Sequence, residues 1–248
     1  MSPLLCLHGF TGSPESFAEV RERLASRPVS CPALVGHGER APEVDGFEAE
    51  VDRLARLLPE EPVSLVGYSL GARLALGLAV RHPKRVRSAV FIGVNPGLRS
   101  SAERDARRTH DRRFIELLET RGLDAFVNEW ERQPLFASQA DLPAPARERR
   151  QKERRRHDPL ELARCLRLTG LAEMPDYWPD LPELALPVTL LAGERDEKFR
   201  RLAGAAAELL PHARLTIAPG ASHDVLLERP DLVAVAIEEQ LEEKQRHD

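Results

Sequence analysis

The chain has 248 residues, enough for one α/β domain with a substantial core and an insertion. Hydrophobic content of 42% and charged content of 31% suit a soluble globular protein, and no apolar run approaches the roughly 18–20 residues of a membrane span. The net charge of −4 is unevenly spread, because residues 99–156 hold 15 Lys and Arg against 11 Asp and Glu, marking a middle segment of separate character.

The opening "MSPLLCLHGF" has no basic n-region and is broken by Pro3, so it reads as a strand and not a signal peptide. "LLCLHG" (4–9) is a short apolar run closed by Gly9, expected to be a buried strand. A helix over 12–25 follows, with Ser13 as N-cap and Pro14 at its first position. "VSCPALVGHGE" (29–39) reads as a second strand running into a glycine loop. Residues 46–58 have helical periodicity, with Val51, Leu54, Leu57 and Leu58 on one face. A strand at 62–67, a helix at 69–83 and a strand at 85–97 come next. Beyond residue 182 follow a strand and loop at 186–199, a helix at 200–211, a strand at 213–223 and a last helix from Pro230. Apolar strands alternating with helices predict a mostly parallel sheet covered on both faces.

Residues 98–182 break that rhythm. They are Arg-rich, mostly helical and interrupted by Pro134, Pro143, Pro145, Pro159 and Pro175. This segment reads as a helical cap inserted before the last two strands, leaving 1–97 and 183–248 as the core. "PAPARERRQKERRR" (143–156) reads as a charged, solvated helix. Cys6, Cys31 and Cys165 show no zinc or redox spacing, so buried inert thiols in a reducing cytoplasm are the simplest reading. No metal or cofactor motif is present.

Chemistry concentrates at strand ends. In "LVGYSLGARLAL" (65–76) Ser69 sits between two glycines where a strand turns into a helix, a strained elbow that exposes the hydroxyl. A plain turn serine is the bland alternative. A serine nucleophile or base needs a histidine, and the histidine an orienting carboxylate. Asp196 and His223 follow in the expected order, each just past a strand, where open α/β sheets bind ligands. Glu194 and Glu197 flank Asp196 as alternative acids. "LHGF" offers the backbone N–H of Phe10, and the serine's neighbour Leu70 a second, as donors to a developing oxyanion. His8 is open to two readings, turn packing or substrate contact.

The chain resembles the α/β-hydrolase superfamily over nearly its whole length. Within it, "HGFTGSPESF", "GHG", "GYSLGARLAL", "NPGL", "ERDARRTHDRRF", "FVNEWERQPLF", "GERDEKF" and the His223 loop resemble, in order, the 2-succinyl-6-hydroxy-2,4-cyclohexadiene-1-carboxylate synthases of menaquinone biosynthesis. The resemblance implies an α/β-hydrolase fold and a cytoplasmic, cofactor-independent lyase. In such a lyase Ser69, activated by His223 and Asp196, removes a proton and pyruvate leaves. It implies a small polycarboxylate substrate held by Arg73, Arg107 and Arg154, with Tyr68, Trp130 and Phe136 lining the pocket. Arg155 and Arg156 adjoin Arg154 and compete for its place. The chain departs from the family's pattern at Leu226, where a second histidine is frequent, and at Ser222, where glycine is usual. Because the first strand begins at Leu4, the sheet is expected to lack the leading hairpin of larger hydrolases.

Two rivals remain at this level. One is an esterase or C–C bond hydrolase of the same fold, with Ser69 as a true nucleophile on a small anionic substrate. The other is a binding protein whose basic cap meets nucleic acid or an acidic partner. Interleaved acids, a pI near 6.1 and the lack of a nucleic-acid motif weigh against it. The sequence does not specify oligomeric state.

Overall fold

Six apolar runs form parallel strands of one sheet: β1 (Leu4–Leu7), β2 (Val29–Ser30), β3 (Val63–Tyr68), β4 (Val86–Ile92), β5 (Val188–Gly193) and β6 (Ala213–Ala218). In this computed structural model, which describes residues 3–24, 27–38 and 43–245, the strand order is β2-β1-β3-β4-β5-β6, with every pair parallel. The interior strands β1, β3 and β5 are buried at every position, as continuous apolar runs require when both faces are covered. Their side chains alternate between two cores. Leu5, Leu7 and Leu65 face one, with helices α2 (Phe47–Arg56), α3 (Leu70–Arg81) and α7 (Glu197–Ala207). Leu4, Cys6 and Val66 face the other, with α1 (Ala18–Arg23) and α9 (Pro230–Gln245).

The second strand is much shorter than the stretch 29–39 suggests. Pro32 cannot donate to a sheet ladder, and Gly36 and Gly38 take positive φ of 75° and 143°, so the chain leaves the sheet after Ser30. Glu39 and Ala25, the last residues of the expected strand and of the expected first helix, lie outside the described residues. That helix opens as a 3-10 turn at Pro14–Phe17, with Ser13 and Ser16 in a reciprocal cap.

Between β4 and β5 come α4 (Ser101–Trp130), a 3-10 stretch (Pro134–Asp141), α5 (Ala144–Arg154) and α6 (Pro159–Thr169). Ser100 and Glu103 box the start of α4, Gly122 breaks it with φ 77°, and Asp158 caps α6. These elements enclose a third core containing Phe114, Phe126, Val127, Trp130, Phe136 and Leu162. Farther on, Met174, Tyr177, Trp178 and Leu181 pack into the core shared with α2 and α3. Helix α5 is solvated on one face, as its charges suggest, with Arg147, Glu148, Arg149 and Lys152 exposed, but its other face buries Arg150, Glu153 and Arg154. The last described element of the loop after β6 is the short α8 (Val225–Glu228). Among the described residues no helix is long and apolar enough to cross a membrane.

Candidate active site

Ser69 is the single residue between β3 and α3, and it holds φ 52° and ψ −108°. Its N–H donates to Ile92 O at 2.9 Å and its carbonyl accepts from Arg73 N–H at 3.1 Å, so neighbouring structure fixes the strained turn. Gly71 explains how α3 can start so near the sheet: a Cβ there would lie 2.0 Å from Leu7 O. Glycine admits this approach and no other residue does.

His223 Nδ1–H donates to Asp196 Oδ2 at 2.8 Å, which leaves Nε2 to accept from the Ser69 hydroxyl at 3.0 Å. Asp196 is held in turn, since its Oδ1 accepts from Phe199 N–H at 3.1 Å at the start of α7. Phe199 and Tyr68 pack against the imidazole with ring centroids 4.3 and 5.5 Å away. Both His223 and Asp196 are buried. The two alternative acids go elsewhere: Glu194 accepts from Gly220 N–H at 2.8 Å, and Glu197 is exposed.

Phe10 and Leu70 both line the cavity above Ser69. Leu70 opens α3, where the first N–H groups have no intrahelical acceptor. Phe10 sits in the tight turn closed by Gly12 N–H to Gly9 O at 3.0 Å. His8 belongs to that turn's support, as the packing reading has it. Its Nδ1–H donates to Gly9 O at 2.9 Å and its Nε2 accepts from Leu34 N–H at 3.3 Å. His37 repeats the arrangement, donating to Val35 O at 3.0 Å and accepting from Thr11 N–H at 3.0 Å. Burial lowers the pKa of both imidazoles, His8 to about 4, consistent with neutral rings that accept backbone N–H bonds.

The cavity encloses about 290 Å³ between the sheet's carboxyl ends and the helices α4–α6. Arg73, Arg107 and Arg154 all line it, as do Tyr68, Trp130 and Phe136. Arg73 Nη1 donates to Thr169 O at 2.8 Å, and burial with the nearby Arg107 charge lowers its pKa to about 10. Arg107 grips Asp111 through Nε at 2.9 Å. Arg154 lies over the Phe136 ring at 4.8 Å and donates to Glu131 at 2.9 Å. Of the two competing arginines, Arg155 pairs with Asp124 at 2.9 Å and Arg156 is exposed. Trp130 stacks on Phe126 at 5.5 Å and contacts Phe10 edge-on at 5.2 Å. Its indole N–H is buried without an acceptor among the described residues. Ser222 donates its hydroxyl to Leu135 O in the 3-10 stretch Pro134–Asp141 at 3.2 Å, while Leu226 is buried in the α1–α9 core.

Sequence reasoning missed two cations of this cavity, Lys198 and Arg150. Lys198 sits two residues past Asp196, and burial and Arg107 both lower its pKa. Arg150 was hidden in a run of arginines. Its spacing of four from Arg154 puts the two on one helix face, and that was the available signal.

The sequence pattern of the alpha/beta hydrolase family matches residues 4–236. A Bacillus subtilis strain 168 protein provisionally named 2-succinyl-6-hydroxy-2,4-cyclohexadiene-1-carboxylate synthase is 36% identical, over 95% of this chain and 89% of its own. An Escherichia coli O1:K1 protein with the same synthase name is 35% identical, over 92% of this chain and 88% of its own. The solved structure of MenH from S. aureus superposes with a TM-score of 0.94 at 31% identity, covering 98% of this chain and 94% of that one.

Proposed function

Since the chain belongs to the alpha/beta hydrolase family and, within it, to the 2-succinyl-6-hydroxy-2,4-cyclohexadiene-1-carboxylate synthases, we propose that it is the lyase of that step. It eliminates pyruvate from 2-succinyl-5-enolpyruvyl-6-hydroxy-3-cyclohexene-1-carboxylate in menaquinone biosynthesis. The observation that carries the reading is a hydrogen-bonded Ser69–His223–Asp196 chain opening into a cavity lined by arginines.

In this mechanism Ser69 is a base and not an attacking group. His223 Nε2 takes the hydroxyl proton as Ser69 Oγ removes the ring proton beside the succinyl ketone. Asp196 holds the imidazole in the required tautomer and stabilises its charge. The ketone becomes an enolate, whose oxygen meets the Phe10 and Leu70 N–H groups; such donors are worth about 3–4 kcal/mol each. The electron pair then moves through the ring: a double bond forms to C3, the C3–C4 double bond shifts to C4–C5, and the C5–O bond breaks. Enolpyruvate leaves and takes a proton on carbon to become pyruvate.

The substrate's succinyl, enolpyruvyl and ring groups each carry a carboxylate, which explains why a hydrolase-like site holds Arg73, Arg107 and Arg154. Trp130, Tyr68 and Phe136 complete the enclosure. Interleaved acids weigh against nucleic acid as the partner, since Arg149, Arg150, Arg154 and Arg155 pair with Glu19, Asp224, Glu131 and Asp124. A soluble cytoplasmic enzyme of small anionic substrates fits that charge distribution. Residues 98–182 act as its cap.

The test is pyruvate release from enzymatically generated substrate, with Ser69→Ala as control because the substrate also eliminates unaided. Fast Ser69-dependent release is the expected result. Release no faster than background from folded protein, with cleavage of p-nitrophenyl esters, would transfer the assignment to a hydrolase of small anionic substrates.

A further inference from the structure

One cap helix is bonded to both catalytic loops at once. On α5, Arg150 Nη2 donates to Asp224 Oδ1 at 3.1 Å, and Asp224 is the residue directly after His223. Asp224 is 1% exposed, accepts Gln139 Nε2–H at 3.0 Å from the 3-10 stretch of the cap, and caps α8. Two further bonds join the same pieces: Ser138 to Glu228 at 3.0 Å and Ser222 to Leu135 O at 3.2 Å.

Arg150 also reaches the other loop. Its Nη1 donates to Glu153 Oε2 at 2.6 Å and to Ser16 Oγ at 3.2 Å. Glu153 Oε1 accepts the hydroxyls of Ser13 at 2.6 Å and Ser16 at 2.5 Å, just beyond the turn that carries Phe10. Past the end of α5, His157 Nε2–H donates to Thr11 O at 3.1 Å.

Stability alone is a poor reason for such a cluster. Buried ion pairs are often no better for stability than well-packed apolar side chains of similar size, whereas they do fix geometry. Here Arg150 is 6% and Glu153 8% exposed, so neither gains from solvent. Burial raises the Glu153 pKa, yet Arg150 and the two serines bring it below the ordinary carboxylate range and keep it charged.

We propose that Arg150 and Glu153 are positioning residues, a buried ion pair that locks the His223 loop and the Phe10 turn into register through α5. Neither touches the reacting atoms. Their effect is exerted through Asp224 on His223 and through Ser13 and Ser16 on the Phe10 turn. Seating of α5 is then a condition for assembling base and oxyanion donors together. The rate consequences rest on the lyase reading above; the structural coupling does not.

The experiment compares wild type, Arg150→Lys, Arg150→Met and Arg150→Met/Asp224→Asn. In Arg150→Met the Asp224 and Glu153 carboxylates both lose their shared cation, and Glu228 and Tyr68 remain as titratable groups near Asp224, whose charge is left uncompensated. That charge favours the protonated His223 ring. The acid limb of kcat/KM should move up by about half a pH unit or more. Loss of register should cut kcat by about tenfold or more, with KM changed by less than about threefold. Asp224→Asn added to Arg150→Met should return the acid limb to its wild-type place without restoring kcat, and Arg150→Lys should recover part of the rate. The double variant removes the unpaired charge at Asp224, and adding Glu153→Gln removes the one left at Glu153; that triple variant serves if the others do not fold.

Hydrogen exchange gives a readout that needs no substrate. Residues 8–12 and 221–228 should both exchange faster in the double variant. Faster exchange in α5 alone, or an unmoved acid limb with kcat within about twofold of wild type, would overturn the proposal. If wild type shows no Ser69-dependent pyruvate release, the lyase reading falls, and exchange still decides the coupling.

Discussion

Among the described residues, Thr11 and Ser69 are the two non-glycine positions with left-handed backbone, at φ 64° and 52°. Each adjoins one proposed oxyanion donor, Thr11 following Phe10 and Ser69 preceding Leu70. Such conformations cost about 1–3 kcal/mol each and persist only where the surrounding structure imposes them. The strain is concentrated where the proposed chemistry needs two N–H groups aimed at one point.

Replacing the serine separates strain from chemistry. Ser69→Ala should lose at least about a hundredfold in pyruvate release, because the base is gone, while keeping the fold. Ser69→Gly should be equally inactive yet melt higher than Ser69→Ala. Glycine accepts φ 52° freely, and each kcal/mol relieved is worth about 2–4 °C in a domain of this size. A lower melting point for the glycine variant would show that the elbow is not strained.

Arg73 offers a direct test of the carboxylate clamp. Its Nη1 is held by Thr169 O, and the residue lines the cavity. Arg73→Ala should lower kcat/KM by about 10–100-fold, mainly through KM, since a charge-assisted hydrogen bond is worth about 1.5–3 kcal/mol. Arg73→Lys should recover little, because an ammonium cannot keep the Thr169 bond and grip a carboxylate in two places. Steady-state kinetics that leave either variant at wild-type efficiency would remove Arg73 from the substrate site.

The parallel sheet, and the placing of Ser69, Asp196 and His223 at strand ends, were legible because they follow from local rules. Apolar runs of four to seven residues alternate with helices, and Ser69, Asp196 and His223 each stand just past a strand. The second strand was misjudged because "VSCPALVGHGE" has the right hydrophobicity, and Pro32 counts only once backbone pairing is considered. The buried face of α5 was not legible for a different reason. Fourteen residues rich in arginine look solvated until their partners are known, and Asp224, Ser13 and Ser16 lie far away in sequence. Composition reports the charge of α5, but only the fold reveals what neutralises it.

Acid should destabilise the protein through its buried histidines. The unfolded chain binds a proton at His8 near 6.5 and the native chain at about 4, so between those values the unfolded state holds the extra proton. Stability therefore falls as pH drops through that window, by at most about 1.4 kcal/mol per unit for each such group. His37, whose pKa is also depressed by burial, adds in the same direction. Protonated Nε2 atoms would face the N–H groups of Leu34 and Thr11, donor against donor. Melting curves between pH 7 and 4.5 should show the loss, and His8→Gln should flatten it. A melting point independent of pH across that range would refute the assignment of neutral buried rings.

Two glycines in similar helices should answer the same substitution in opposite ways. Gly71 lies in the first turn of α3, where a Cβ would stand 2.0 Å from Leu7 O and 2.6 Å from His8 O. Both contacts are with backbone of β1 and the turn leading to Phe10, so neither can swing aside. Gly71→Ala must push α3 off the sheet, which shifts Ser69 and Leu70 together. Gly204 lies inside α7, where a Cβ would meet nothing within 4 Å. Gly204→Ala should stabilise by about 0.5–1 kcal/mol, since alanine loses less backbone entropy in a helix. Gly71→Ala should cost more than about 3 kcal/mol, a size reserved for backbone clashes and core disruption. Urea denaturation of the two variants measures both shifts. A tolerated Gly71→Ala that kept its activity would mean that the glycine after the serine is not what holds α3 against β1.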